Sequence, residues 1–130
     1  ILLDFTGYAC VNCRKMEEHV WPVPEVDKVL RDNFVLISLY VDDKKQLPET
    51  ERLYVERTSG IGLRKLENYG HKWAHFQARY FGVNSQPFYL LMDPNTLQIL
   101  NKPVGYMPDA NEYISFLKCG LSEFKSSKEK

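Results

Sequence analysis

The sequence lacks the features that mark several broad classes of protein. Three cysteines in 130 residues are too few for a small domain held together by disulfides. There is no run of about 18 apolar residues and no charged segment followed by a short apolar one, so no transmembrane helix or signal peptide is predicted. Lys and Arg number 17, as do Asp and Glu, so composition gives no reason to expect nucleic acid or an anionic membrane as a partner. We therefore expect the partner to be another protein or a small molecule.

Metal ligands are also scarce. Structural zinc needs four ligands, and besides Cys10 and Cys13 the sequence offers only Cys119 and three scattered histidines. His71 and His75 could share a helix face, but no third ligand accompanies them. We therefore predict that the chain binds no metal ion and needs no cofactor.

Apolar residues are plentiful enough for one core. They make up 44% of the chain, which at this length predicts a single domain over 1–130. The chain opens on an apolar run without an initiating Met, and we expect it to be a fragment of a longer protein. Residues 125–130, KSSKEK, are predicted to be a solvated tail.

The first part of the chain alternates between strand and helix patterns. A buried strand is predicted over 1–5, and the helix that follows it is interrupted by Pro22 and Pro24. A second helical segment follows over 25–34, and the apolar run 34–43 has the composition of a central parallel strand. This order requires a right-handed crossover.

The middle of the chain is less regular. RLYVER and LRKLEN, on either side of TSGIG, are predicted to form a hairpin. A helix with an aromatic core face, ending at Gly82, is predicted from four residues at helical spacing, which are Trp73, Phe76, Tyr80 and Phe81.

Two strands and a helix are predicted to close the domain. The strands, over 87–93 and 97–105, should be antiparallel and joined by the turn PNT. The helix is predicted from an apolar stripe formed by Ile114, Leu117, Leu121 and Phe124. Cys119 falls about 140° around the helix from Ile114, off this stripe, and is interpreted as a non-catalytic thiol.

Cys10 and Cys13 stand where the first strand gives way to the first helix. A structural disulfide between them would close too short a loop to constrain the unfolded chain much. A redox-active dithiol fits better, because at the first turn of a helix Cys10 faces unpaired N–H groups and the positive end of the helix dipole. Both lower its thiol pKa moderately and favour it as the nucleophile. Cys13, one turn later, can attack the mixed disulfide that Cys10 forms.

Asp4 lies within the first apolar strand. Its carboxyl group is predicted to be buried, with a pKa raised toward neutrality. Two interpretations remain open: a part in the chemistry of the dithiol, or a buried carboxyl group that only pairs with a nearby Lys or hydroxyl group.

Three elements in order resemble the thioredoxin family over nearly the whole chain: Asp4, the motif CVNC at the start of a kinked helix, and the proline of SQPFYLL. The resemblance implies an α/β thioredoxin-like fold, with a central mixed sheet flanked by helices and an insert, 44–70, before the cis-Pro strand. It implies that Cys10 and Cys13 are catalytic, that Asp4 accepts the proton of Cys13, and that a cis Gln86–Pro87 bond lies beside the dithiol. Substrate would be bound by Tyr8, Ala9, Val11, Asn12, Gln86 and Pro87.

A narrower resemblance comes from LLDFTGYACVNCRKMEEHVW, VLISLYVDD and QPFYLLMD. These segments are similar to the C-terminal periplasmic thioredoxin-like domain of the DsbD family of transmembrane thiol:disulfide interchange proteins, in its Bacteroidetes-like form. That resemblance implies that the chain is the C-terminal part of a larger membrane protein, a periplasmic reductase tethered to the inner membrane. An upstream transmembrane dithiol would donate electrons and oxidised periplasmic proteins would accept them. It implies no nucleic acid partner and no membrane contact by these residues themselves.

Two other classes of function remain open. One is a free-standing thioredoxin-like reductase or disulfide isomerase. The other is a non-catalytic binding module, against which the retention of both cysteines argues. Ala9 stands where thioredoxins commonly have Trp, and Val11 and Asn12 replace Gly-Pro, at positions that tune redox potential and partner choice. No His lies between the cysteines and Asp4 disfavours further negative charge, so we predict a potential nearer to thioredoxin than to DsbA.

Overall fold

The computed structural model describes residues 1–58 and 60–128. Ser59 in the predicted TSGIG turn, and residues 129–130 of the predicted tail, lie outside the described residues. The strands are β1 (Leu2–Thr6), β2 (Leu36–Tyr40), β3 (Tyr54–Glu56), β4 (Leu63–Lys65) and β5 (Phe88–Leu91). The helices are α1 (Val11–Lys15), continued by a π-helical segment (Met16–Val20), then α2 (Pro24–Asn33), α3 (Tyr69–Phe81) and α4 (Ala110–Lys128). A short 3-10 turn spans Glu49–Glu51.

The main sheet has the order β2-β1-β5. β1 is parallel to β2, with Thr6 opposite Tyr40, and antiparallel to β5, with Phe5 opposite Phe88. This register brings the chain after β1, the chain after β2 and the chain before β5 to the same edge of the sheet. The predicted mixed sheet flanked by helices is confirmed.

The core lies on both faces of this sheet. Leu2 points to one face, where it packs with residues of α2 and α4 and the π-helical segment, and Leu3 and Phe5 point to the other, where α3 covers them. All of β1 is buried, as predicted for 1–5. Asp4, by alternation, shares the face of Leu2.

β2 corrects one prediction. The run 34–43 was expected to be central, but β2 is shorter and lies at the edge of the described sheet, where β1 is its one partner. Leu36 and Ile37 are 46% and 38% exposed, and since successive residues of a strand face opposite sides, both faces of β2 are open at its start. A run of apolar residues does not by itself distinguish a central strand from an edge strand.

The segment predicted as a strand over 97–105 is not one. It forms only isolated antiparallel bridges, between Met92 and Ile99 and between Tyr89 and Val104. Five residue steps separate Ile99 from Val104 but only three separate Tyr89 from Met92, so the register shifts between the two bridges and no continuous ladder forms. The antiparallel direction and the turn after β5 agree with the prediction.

The remaining elements largely follow the sequence. β3 and β4 form the predicted antiparallel hairpin. α3 ends at Gly82 as predicted, but Tyr80, whose ring centroid lies 5.2 Å from that of Phe76, is 72% exposed and so is not part of the core. α4 continues through Lys128, so the described part of the predicted tail is helical, although exposed. No helix among the described residues is long and apolar enough to cross a bilayer.

Candidate active site

Cys10 is the N-cap of α1, as the sequence predicted for the start of this helix. Its backbone is extended, its N–H donates to the Gly7 carbonyl oxygen (3.2 Å), and its carbonyl oxygen accepts from the Arg14 N–H (3.2 Å). Its Sγ accepts a hydrogen bond from the Cys13 N–H at 3.2 Å. The cysteine sulfur therefore takes the place that a Ser or Asp oxygen occupies in an ordinary cap.

The two cysteines form a disulfide, and their Cα atoms lie 5.2 Å apart. Cys13 is 1% exposed, whereas Cys10 is partly open to solvent. An incoming partner therefore reaches Cys10 first, with Cys13 behind it. Cys119 is exposed on α4 and forms no disulfide, in line with its interpretation as a separate thiol.

Asp4 is buried, with 2% of its surface exposed. Its Oδ2 accepts a hydrogen bond from the Ser38 hydroxyl (3.0 Å), while its Oδ1 is buried without a partner among the described residues. Burial, aided by the charge of Glu17, raises the pKa of Asp4 to about 6, although the Ser38 hydrogen bond and the Arg14 charge oppose the shift. The predicted burial and raised pKa are confirmed. The structure supplies the hydroxyl partner that one interpretation required, and the proton-acceptor role stays a prediction.

The residues expected to bind substrate lie around Cys10 and on the neighbouring edge. Tyr8, Ala9, Val11 and Asn12 are exposed in the turn before Cys10 and the first turn of α1. Tyr8 stacks on Tyr40, with ring centroids 4.1 Å apart. These side chains give the surface around Cys10 a mixed apolar and polar character.

The Gln86–Pro87 bond is cis, as the resemblance implied, and the register of β5 places it at the same edge as the turn before Cys10. A residue that the sequence did not single out holds this segment. Gln77 of α3 is fully buried, donates to the Ser85 carbonyl oxygen (2.9 Å) and accepts from the Gln86 side-chain amide (3.0 Å). A Gln inside an aromatic helix pattern was the available signal.

Arg14 and Asp42 are two further residues of the site, and of these sequence reasoning did not single out Asp42. Arg14 donates to the Thr6 hydroxyl (3.0 Å) and the Gly7 carbonyl oxygen (3.3 Å). Asp42 accepts from the N–H groups of Tyr8 (2.9 Å) and Ala9 (3.1 Å). The signal for Asp42 was its place directly after an apolar strand, at the carboxyl edge of a sheet.

Within residues 1–58 and 60–128, no three His, Cys, Asp or Glu side chains come together in a way that could hold a metal ion. His71 accepts a hydrogen bond at its Nδ1 from the Glu67 N–H (3.3 Å). This histidine therefore has a local structural contact.

A mixed sheet between helices, with a close cysteine pair at the first turn of a helix, indicates a thiol–disulfide oxidoreductase of thioredoxin-like fold. Residues 1–119 match the family model described as "Thioredoxin-like domain". The chain therefore belongs to the thioredoxin-like family. No curated protein matches the chain at a significant level.

Solved structures agree on the fold. A thioredoxin from Thermus thermophilus superimposes with a TM-score of 0.62 at 18% identity, over 98% of this chain and 77% of its own. A structure described as DsbH oxidoreductase gives 0.62 at 20% identity, over 93% and 71%. A thioredoxin-fold protein from Helicobacter pylori gives 0.62 at 19% identity, over 95% and 70%. At these identities the likeness concerns the fold alone.

Proposed function

We propose that this domain is a protein-disulfide reductase in which Cys10 attacks the partner and Cys13 resolves the intermediate. The observation that carries the proposal is the placement of the pair. Cys10 is accessible at the N-cap of α1, with the Cys13 N–H directed at its sulfur, and Cys13 is buried one turn behind. A thiolate at such a position is stabilised by hydrogen bonding and by the helix dipole.

The reaction begins with attack of the Cys10 thiolate on one sulfur of a partner disulfide. The partner's S–S bond breaks, its other sulfur leaves as a thiolate, and a mixed disulfide links Cys10 to the partner. Cys13 then loses its proton to the Asp4 carboxylate and attacks the Cys10 sulfur. The second partner sulfur leaves, and both partner thiolates take up protons, one of them returned by Asp4. The partner has gained two electrons and the domain holds the Cys10–Cys13 disulfide.

Asp4 suits the second step because of its pKa of about 6. At pH 7 the carboxyl group is mostly ionised and can accept a proton, yet it holds that proton more strongly than an exposed Asp would. Burial thus gives a carboxyl group a pKa close to the working pH.

The edge formed by the cis Gln86–Pro87 segment provides a place for the partner's chain. The residue before such a proline offers its backbone for strand-like pairing with an extended segment, which gives affinity through the main chain and tolerance of sequence. Tyr8, Val11 and Asn12 would contact the partner on the other side of Cys10.

We further propose, from the resemblance of the sequence segments, that the domain works as a DsbD-type relay. An upstream transmembrane dithiol would reduce it, and oxidised periplasmic proteins would receive the electrons. The full-length protein would be tethered to the inner membrane with this domain in the periplasm. Protease treatment of intact spheroplasts should digest the domain, whereas protection until the cells are lysed would contradict this location.

Insulin reduction with dithiothreitol as electron donor tests the reductase. The wild-type domain should accelerate insulin precipitation, and Cys10→Ser should abolish the acceleration because no nucleophile remains. Cys13→Ser should still attack and should accumulate a mixed disulfide that dithiothreitol releases. Cys119→Ser is the matched control and should keep full activity.

Alkylation of the reduced protein adds an independent readout of the same assignment. Iodoacetamide near neutral pH should label Cys10 before Cys13. Full activity in Cys10→Ser, or preferential labelling of Cys13, would contradict the proposal.

A further inference from the structure

The turn that leads into Cys10 is held by a carboxylate from the end of a neighbouring strand. The hydrogen bond from the Cys10 N–H to the Gly7 carbonyl oxygen closes this turn, and its two central N–H groups belong to Tyr8 and Ala9. Neither of these amides is used within the turn itself. Each donates to a different oxygen of Asp42, which lies just beyond β2.

The fit between the turn and the end of β2 is close. A Cβ atom on Gly7 would lie 3.2 Å from Oδ2 of Asp42, tighter than an ordinary contact, so glycine leaves room for the carboxylate. Two residues before Asp42, the ring of Tyr40 stacks on the ring of Tyr8 at an interplanar angle of 16°. The end of β2 thus contacts the turn through both a charge and an aromatic ring.

Four charged groups lie around this turn. Arg14 of α1 donates to the Gly7 carbonyl oxygen and forms an ion pair with Glu17 (2.8 Å), which offsets its charge. Asp4 is buried in β1, the strand that precedes the turn, and Asp42 lies beyond β2. Asp42 therefore adds a negative charge that the Arg14–Glu17 pair does not fully balance.

Asp42 stays ionised at neutral pH. Its slight burial opposes ionisation, but the N–H groups of Tyr8 and Ala9, its own N–H group and the charge of Arg14 together lower the pKa of Asp42 below the usual range.

We propose that Asp42 is a positioning residue of the dithiol centre, which holds the turn ahead of Cys10 and, by its charge, disfavours the Cys10 thiolate and so keeps the couple reducing. The inference deepens the proposed function and rests on it. A dithiol whose thiolate is strongly stabilised is a strong oxidant, because its reduced form is favoured. A negative charge held on the N–H groups of Tyr8 and Ala9, in the turn that leads into Cys10, acts in the opposite direction.

Asp42→Asn tests the proposal, because it keeps the shape of the side chain and removes the charge. The apparent pKa of Cys10 is measured from the pH dependence of iodoacetamide labelling, read at Cys10 by mass spectrometry. The pKa should fall by about half a unit to one unit, the size expected from a single nearby charge. In a glutathione buffer the equilibrium should move about three- to tenfold toward the reduced domain, which corresponds to about 15–30 mV.

Two further variants separate charge from structure. Asp43→Asn removes the same charge one residue away, where the side chain accepts from the Lys45 N–H (2.9 Å), and should shift the pKa of Cys10 by less than a third as much. Asp42→Glu keeps the charge and should stay near the wild type. Simple loosening of the turn would instead weaken the hydrogen bond from Cys13 N–H to Cys10 Sγ and raise the pKa of Cys10.

An unchanged or raised Cys10 pKa in Asp42→Asn, or an equal shift in Asp43→Asn, would overturn the inference. If Asp42→Asn does not fold, as judged by circular dichroism, Asp42→Ser takes its place with the same expected direction. Failure of the wild-type domain to reduce insulin would contradict the proposed function instead. The labelling comparison does not depend on insulin reduction, so the two failures are distinguishable.

Discussion

Asp4 shows how one buried group links stability to function. Its pKa in the folded domain is about 6, above the value of about 3.9 for an unfolded Asp. The folded state therefore binds more protons than the unfolded state between about pH 4 and pH 6. Stability from this group is greatest below that window and is lost as the pH rises through it, so at neutral pH the ionised carboxylate destabilises the fold.

Asp4→Asn should remove this penalty. The amide can still accept the Ser38 hydrogen bond, and it carries no charge at any pH. The free energy of unfolding of the variant, relative to the wild type, should rise by about 2–3 kcal/mol between pH 4 and pH 7, at about 1.4 kcal/mol per pKa unit. Urea unfolding of the oxidised proteins at both pH values measures it.

Asp32→Asn is the control for this comparison, because Asp32 is an exposed carboxylate paired with Lys28 (3.2 Å) and should contribute little to stability. A difference between Asp4→Asn and wild type that stays constant from pH 4 to pH 7 would show that Asp4 is not perturbed as described. Asp4→Asn should also reduce insulin more slowly than the wild type at pH 7, since Cys13 would lose its proton acceptor.

At the residue level, the sequence predicted those site residues whose role is indicated by their neighbours within a few positions. Cys10 and Cys13 are marked by their spacing and Asp4 by its apolar neighbours. Asp42 acts across 34 residues on Tyr8, so its role depends on strand order and register, which a single sequence does not specify. Gln77 contacts Ser85 and Gln86 just after the end of α3, so its role depends on how the chain turns back after that helix.

At the level of elements, the active-site edge is assembled from three segments that the sheet brings together. β1 delivers Cys10, β2 delivers Asp42, and β5 begins just after the cis Gln86–Pro87 bond. α3 joins this arrangement through Gln77, whose amide bonds to both Ser85 and Gln86. We therefore expect α3 to fix the segment that pairs with a partner's backbone.

Gln77→Met tests this element-level role, because Met has a similar length and makes neither hydrogen bond. The freed groups of Ser85 and Gln86 can turn to water, so the stability cost should be about 1–2 kcal/mol. Insulin reduction should slow several-fold, while reduction of a small aromatic disulfide, which needs no backbone pairing, should change by less than twofold. Both rates are measured under the same conditions.

Gln98→Met is the matched control, since Gln98 is exposed and distant in sequence from the site. Equal losses with insulin and with the small disulfide would mean that Gln77 supports the fold in general rather than the partner-binding segment.

The prediction of helices and strands succeeded where the local sequence pattern determines an element, and failed where pairing with other strands determines its place in the sheet. The start of α1, the hairpin β3–β4 and the end of α3 at Gly82 depend on caps, turns and glycine, which act within a few residues. β2 was placed at the centre of the sheet because its apolar composition suits a buried strand. Its edge position means that, among the described strands, it pairs with β1 alone, and pairing is a property of the whole sheet.

At the scale of the whole molecule, the domain has balanced charge. The net charge is zero, so no general field favours or opposes a thiolate. The electrostatic potential at Cys10 is therefore set by its immediate neighbours. In our proposal the Cys13 N–H and α1 stabilise the thiolate, while Asp42, held on the turn before Cys10, and the buried Asp4 oppose it.

The balance of these effects predicts a reducing couple, which is the central claim about function. Related dithiols run from about −270 mV for thioredoxin to about −120 mV for DsbA, the latter because its reduced form is stabilised. A reductant has to hold its electrons weakly enough to pass them to partner disulfides. The opposition of two carboxylates to the Cys10 thiolate acts in that direction.

Equilibration of the wild-type domain with glutathione redox buffers at pH 7, followed by acid quenching and separation of the oxidised and reduced forms, measures the potential of the Cys10–Cys13 couple. We predict a value closer to about −270 mV than to about −120 mV. A value near that of DsbA would show a domain that withdraws electrons from its partners, and would contradict the role as a reductant.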